Sequence, residues 1–319
     1  MSEQILGIHH VTAIASDPQR NVDFYAGVLG LRLVKRTVNF DDPGTYHFYY
    51  GDETGTPGTI LTFFPWPGAA RGRHGTGQLT TTSFAIRPDS MGFWVDRLRS
   101  QGLAVEGPST RFSEEVLEFE DHDGLRLELV ADAAVASRAA WEGGPVDPEH
   151  ALRGFHGVTL SEEGYESTAE LLHKQMGFQV AGSHGSRFRY VAGEGESKAH
   201  VDVLCLPAGR EGTLGAGTVH HVAWRVADDR TQLHWRTRLA DLDYNVTPVM
   251  DRQYFHSIYY REPGGVIFEI ATDPPGFMID ESRESLGTGL KLPPWLESRR
   301  EVIEDILPPI EVPTAGAAK

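Results

Sequence analysis

Internal repetition constrains the fold of this chain more than any other feature. Gly7-Ile8-His9-His10-Val11-Thr12 has a counterpart in Gly154-Phe155-His156-Gly157-Val158-Thr159, at an offset of 147 (154 − 7). The same offset carries Gly30 onto Gly177 and Leu33 onto Val180. A second set matches at 141 (235 − 94): Trp94 with Trp235, Leu98 with Leu239, Val105 with Val246, and Glu128 with Glu269. Two independent offsets divide the chain into four units of roughly 55 to 65 residues, the first like the third and the second like the fourth.

Each unit repeats one pattern. It opens on an alternating stretch, HHVTAIAS in the first and HHVAWRVA in the fourth, with the period-2 pattern of a half-buried strand. A helix follows. In the first unit Asp17-Pro18 supplies an N-cap and first-turn proline, and Gly30 ends the helix; in the fourth the helix runs from Thr231 to Leu242 with a less obvious cap. Three strands complete the unit, with Asp123-Gly124 and Gly264-Gly265 placed as turns before a last strand. The expected fold is therefore α+β, four βαβββ modules at 7–66, 78–132, 153–208 and 217–273, followed by a tail at 274–319.

Charge and composition exclude several functions. A net charge of −16 and a pI near 5.3 argue against a nucleic-acid binder, since phosphate contacts need a basic face. The one cysteine, Cys205, cannot form an intrachain disulfide and reads as a buried strand thiol. MSEQILGIHH turns polar too early for a signal peptide, and no apolar run approaches the roughly 20 residues of a membrane span. The cytoplasm is the expected compartment, without membrane partners; assembly into a homo-oligomer stays open.

Two His-His pairs, each opening a module and each followed by valine, need a physical explanation. Adjacent strand residues face opposite ways, so one histidine of each pair should face a given pocket. Counting back from Asp17 and Asp228 makes His10 and His221 equivalent, each seven residues earlier (17 − 10, 228 − 221). Glu269, between Phe268 and Ile270 in GVIFEIA, puts a carboxylate on an apolar strand, which is costly unless it is paired or binds a metal. Two imidazoles and one carboxylate are the facial set that leaves positions open for oxygen chemistry on Fe(II). His47, His74, His122, His150, His173, His184, His200 and His234 show no such register.

These residues carry a resemblance. HHVTAIAS, HHVAWRV, NVDFYAGVLGLRLVKRTVNF, DRQYFHSIYYREP and EPGGVIFEIATDPPGF resemble the vicinal oxygen chelate superfamily (glyoxalases, bleomycin-resistance proteins and dioxygenases). Within it they are most similar to the hydroquinone ring-cleaving dioxygenases of the 2,6-dichlorohydroquinone and methylhydroquinone type, from about Gly7 to about Leu307. The resemblance implies two incomplete mixed β-barrels with helices outside, and one Fe(II) per chain, ahead of Mn(II), on His10, His221 and Glu269. It implies catalytic roles for His220, Tyr259 and Arg252, and places His9 and Thr12 close to the substrate; His256, in the same segment, joins them as a substrate-binding candidate.

The expected activity is oxidative opening of a para-dihydroxylated ring with O₂, giving a ring-opened acid. A catechol extradiol dioxygenase would use the same ligands. A glyoxalase-like isomerase or transferase would add a carboxylate on the first module's last strand, where TILTFF has none, and a metal-free binding module would lose the triad. The third module has Gly157 at the place of His10, and the second has Thr82 at that of His221. The first and fourth modules should therefore close around the metal. The second and third should pair without one, their Glu128 held by an arginine.

Overall fold

The computed structural model describes residues 3–312. The first module comprises β1 (Ile8–Ala15), α1 (Pro18–Val22), β2 (Arg32–Asn39), β3 (Asp42–Gly51) and β4 (Ile60–Pro65). The second has β5 (Gln78–Ile86), α2 (Met91–Ser100), β6 (Val105–Arg111), β7 (Glu114–Glu120) and β8 (Arg126–Ala131). The third has β9 (Phe155–Glu162), α3 (Glu166–Glu170), β10 (Gln179–His184), β11 (Arg187–Ala192) and β12 (Ala199–Cys205). The fourth has β13 (Thr218–Val226), α4 (Asp229–Asp241), β14 (Met250–Asp251), β15 (Phe255–Arg261) and β16 (Ile267–Pro275).

The strands form two curled eight-stranded sheets, β14-β15-β16-β13-β1-β4-β3-β2 and β10-β11-β12-β9-β5-β8-β7-β6. Opening strands join the modules: β1 lies antiparallel to β13, and β5 antiparallel to β9. Within each module the opening strand also lies parallel to the last one, as β13 does to β16. Every opening strand is thus flanked on both sides, and one in each sheet is buried completely: every residue of β1 and of β9 is buried. Among the described residues no helix is long and apolar enough to cross a membrane.

Local chemistry sets the helix starts. Asp17 accepts a hydrogen bond from Arg20 N at 2.8 Å ahead of Pro18. The fourth module's cap, obscure in the sequence, is Asp228, which accepts from Thr231 N at 2.8 Å. Glycine is required at the turns before β8 and β16, where Gly124 and Gly265 have φ of 87° and 104°. Cys205 corrects one expectation. As the last residue of β12, paired with Glu162 at the end of the ladder, it is only partly buried, its thiol 3.6 Å from Glu163 O.

The segment after β16 folds back over β2. Lys35, wholly buried, donates to Phe277 O at 3.1 Å and Asp280 Oδ1 at 2.5 Å, and pairs with Glu281. Lys291 N donates to Arg36 O at 2.9 Å, and Trp295 meets Phe40 edge-to-face with ring centroids 5.6 Å apart.

Candidate functional site

His10 lies on β1, His221 on β13 and Glu269 on β16, three adjacent strands of the first sheet. Their donor atoms converge. Nε2 of His10 and Nε2 of His221 are 3.3 Å apart, and Glu269 Oε2 lies 3.2 Å from the first and 2.9 Å from the second. All three residues are buried.

Two β-bulges build this convergence, and they correct the expectation that each His-His pair would split between opposite faces. The β1–β13 register slips at His9, between Ile8 and His10, and again opposite His220, between Thr12 and Ala13. An extra residue in a ladder turns its side chain toward its neighbour's side. His9 Nδ1 consequently lies 2.9 Å from His10 Nδ1, and His220 Nδ1 lies 2.7 Å from His221 Nδ1. Each outer histidine can accept the Nδ1 proton of the inner one, which leaves the inner Nε2 with a free lone pair. Burial lowers the pKa of both outer rings, His220 to about 3, so they are neutral acceptors.

Glu269 has the opposite problem. Burial pushes its carboxyl up, but His10 and His221 hold it well below the usual carboxylate range. Oε1 accepts from the Ser257 hydroxyl, while Oε2 is buried without a hydrogen-bond partner. Three lone-pair donors facing one point in a dry interior repel one another unless a cation lies between them. Three donors at right angles around an ion at about 2.1–2.2 Å are about 3.0 Å apart, close to the separations here. The residues fit a metal.

Beside the donors lies a cavity of about 300 Å³, lined by His10 and His221 and by aromatic residues that include Phe40, Phe64 and Trp66. This volume sits at the small end of ligand pockets, enough for one substituted ring. Arg252 lines it, bonded to Asp41 Oδ2 at 3.0 Å and, through Nε, to Tyr259 OH at 3.3 Å. Tyr259 lies opposite Glu269 in the β15–β16 ladder; burial and the Glu269 charge raise its pKa, so its hydroxyl is neutral.

Of the other sequence candidates, His220 lines the cavity. His9 and Thr12 do not. They lie behind the donors, His9 against His10 and Thr12 bonded to Thr62 at 3.0 Å. His256 is a correction. Strand alternation sends Ser257 and Tyr259 inward and His256 outward, where its Nδ1 lies 2.6 Å from Asp229 Oδ1. The sequence reading passed over His47, which lines the cavity and joins Thr62 Oγ1 at 2.8 Å to Tyr49 OH at 3.0 Å. Nothing local marks it; only the β3–β4 register brings these residues together.

The second sheet has the same frame with different occupants. Thr81 lies opposite Thr159, as His221 lies opposite Thr12, so Thr81 and not Thr82 stands at the histidine's place. The bulge at Thr80 matches the one at His220, so the two opening strands stay in step at an offset of 140 (221 − 81). Glu128, opposite Ser83, is bonded to that hydroxyl at 2.6 Å and to Arg111 Nη2 at 2.6 Å.

The chain is similar to known proteins along nearly its whole length. The Glyoxalase/Bleomycin resistance protein/Dioxygenase superfamily profile matches residues 7–129. MhqO of Bacillus subtilis (strain 168), named as a ring-cleaving dioxygenase, is 50% identical over 312 residues, 98% of this chain and 99% of that protein. The chlorohydroquinone/hydroquinone 1,2-dioxygenase of Sphingobium indicum is 35% identical over 321 residues, 98% of this chain and 99% of that one. A crystal structure of a dioxygenase from Bacillus subtilis superposes with a TM-score of 0.93 at 49% identity, covering 98% of this chain and all of that one.

Proposed function

Because the chain belongs to the Glyoxalase/Bleomycin resistance protein/Dioxygenase superfamily, as one of its ring-cleaving dioxygenases, we propose that it opens hydroquinone-type rings using one Fe(II) held by His10, His221 and Glu269. The observation that carries this reading is the convergence of two imidazole nitrogens and an unpartnered carboxylate oxygen at 2.9–3.3 Å beside a ring-sized apolar cavity. Bound there, Fe(II) would supply the one-electron chemistry that lets triplet O₂ react with a singlet aromatic ring.

The protein's own groups divide the remaining work. His9 and His220 accept the Nδ1 protons of His10 and His221, fixing the tautomer that offers Nε2 inward. Ser257 anchors one oxygen of Glu269 and thereby aims the other. The aromatic wall holds the ring and excludes water, which strengthens every charge interaction inside. Arg252, kept cationic, favours ionised substrate oxygen and negative charge that builds during the reaction. Neutral His220, its Nδ1 engaged by His221, carries its proton on Nε2 and can donate it in a hydrogen bond to substrate oxygen, as can the neutral Tyr259 hydroxyl.

Hydroquinones are preferred over catechols because a para-diol presents its second hydroxyl away from the first. Asn39, Asp41 and His47 add polar groups to the cavity wall beyond the donor set. An isomerase of the glyoxalase kind is disfavoured by β4, where Thr62 is bonded to Thr12 and His47 and no carboxylate joins the triad among the described residues. The deciding experiment is O₂ uptake by Fe(II)-loaded protein on hydroquinones and catechols in parallel. Faster turnover of hydroquinones is expected; the reverse order would move the protein to the catechol class.

A further inference from the structure

The second sheet brings together three donors that the first site leaves unused. His156 lies on β9 and His200 on the neighbouring β12, while Glu114 opens β7, on the far side of β5 and β8, and reaches back to them. Glu114 Oε1 is 3.0 Å from His156 Nε2 and 3.9 Å from His200 Nε2. The two imidazoles stack with centroids 4.5 Å apart, and one donor atom from each of the three residues lies within 4.8 Å of the others.

Two details separate this cluster from an ordinary ion-pair network. His200 Nδ1 is buried with no hydrogen-bond partner, so no bond opposes a small rotation of its ring toward Glu114. Glu114 divides its oxygens: Arg189 takes Oε2 at 2.5 Å, and that guanidinium is itself balanced by Asp202 at 2.7 and 3.0 Å. Oε1 is left to the histidines. The side chains of Glu114 and His200 are 23% and 14% exposed, which gives an ion and a water a way in.

We propose that Glu114, His156 and His200 form a second metal site, separate from the first, that takes Zn²⁺ with a water in the fourth position. Two imidazoles and one carboxylate with an open position are a zinc donor set, and nitrogen ligands favour zinc over the oxygen-seeking Mg²⁺ and Ca²⁺. The site is not a displaced copy of the first one. The positions equivalent to His10, His221 and Glu269 are Gly157, Thr81 and Glu128, and Arg111 is bonded to that glutamate. Filled, it would tie β7 to β9 and β12 across the curl of the sheet.

The test is Zn²⁺ titration, by calorimetry and by metal analysis after desalting, of the full chain carrying His10→Ala and Glu269→Gln. One Zn²⁺ per chain is expected, and Co²⁺ in its place should give visible absorption of tetrahedral intensity. Adding His200→Phe, which keeps the stack on His156, should take the stoichiometry from one to zero. No zinc on the double variant, or undiminished zinc after His200→Phe, overturns the proposal. Should the double variant not fold, the same question is put to the otherwise unaltered protein, where His200→Phe should remove the second equivalent of Zn²⁺ and spare the first; loss of neither equivalent overturns it.

Discussion

Glu162 and Glu262 make the stability of this protein depend on pH in a direction opposite to most carboxylates. Glu162 ends β9 and is wholly buried; Glu262, also buried, begins the turn into β16. Both point at one hydroxyl, with Thr168 Oγ1 2.6 Å from Glu162 Oε2 and 2.7 Å from Glu262 Oε2. A hydroxyl donates one proton, so the inventory assigns the rest. Glu262 already accepts from Gly264 N and Val266 N at 2.8 Å each and is the ionised partner. Glu162, whose Oε1 has no partner, keeps its proton and donates to Thr168. Burial and the facing Glu262 charge push its carboxyl up from 4.5 to about 8. The folded state therefore holds a proton that the unfolded chain releases. That stability is fully present below about pH 4.5 and is lost as pH rises through about 8. At about 1.36 kcal/mol per unit, the shift makes the loss about 5 kcal/mol at most, shared by the pair. Glu162→Gln is neutral at every pH, so it should unfold at higher urea than the unaltered protein at pH 8.5, and its stability should vary less between pH 5 and 8.5. Urea denaturation of metal-free protein at several pH values measures this. Parallel stability curves for the two proteins would refute the reasoning.

Three further outcomes are expected. Glu269→Gln should lower iron from about one per chain to near zero, measured after anaerobic loading, because an amide removes the only anionic donor of the three; full iron and turnover in this variant would sink the triad. His220→Ala and Tyr259→Phe should retain iron and lower kcat, by ~10²–10⁴ for whichever residue transfers the proton. Unchanged kcat in both would return them to packing. Glu128→Gln should leave iron content and kcat unaltered yet cost about 2–3 kcal/mol in denaturant stability, since it takes from the mostly buried Arg111 its nearer carboxylate and leaves only Glu118, at 3.8 Å; a drop in bound iron would contradict the assignment.

The four-module fold was legible because module boundaries are written into the chain by repeated glycines, paired tryptophans and period-2 openings. The positions of His10, His221 and Glu269 were legible for the same reason: an alignment of modules compares like with like. What escaped was whatever a bulge or a strand pairing decides. The extra residues at His9 and His220 turn neighbouring histidines toward each other, against simple alternation, and the opening strands of the second and fourth modules are 140 apart where their later elements are 141 apart. His47 was invisible because its partners, Thr62 and Tyr49, become neighbours only through the β3–β4 ladder and the strand's own curl. His256 was overvalued because it shares a segment with Tyr259, although strand parity separates them.

The two sheets together explain why a buried glutamate persists in both. Glu269 and Glu128 hold the same place in their modules, and each needs positive charge because an ionised carboxylate is too costly in a dry interior. Arg252 and Arg111 are also equivalent, 141 residues apart (252 − 111). In the second sheet Arg111 lies directly on Glu128 at 2.6 Å, and the places of the two histidines are held by Gly157 and Thr81. In the first sheet Arg252 turns away to Asp41 and Tyr259, so Glu269 is left facing two imidazoles with one oxygen unpartnered. The arginine's position thus decides which of these two glutamates is left free for a metal. Where it meets the glutamate, the charge is already balanced; where it stands back, a buried carboxylate oxygen is left without a partner, in the position a cation would balance.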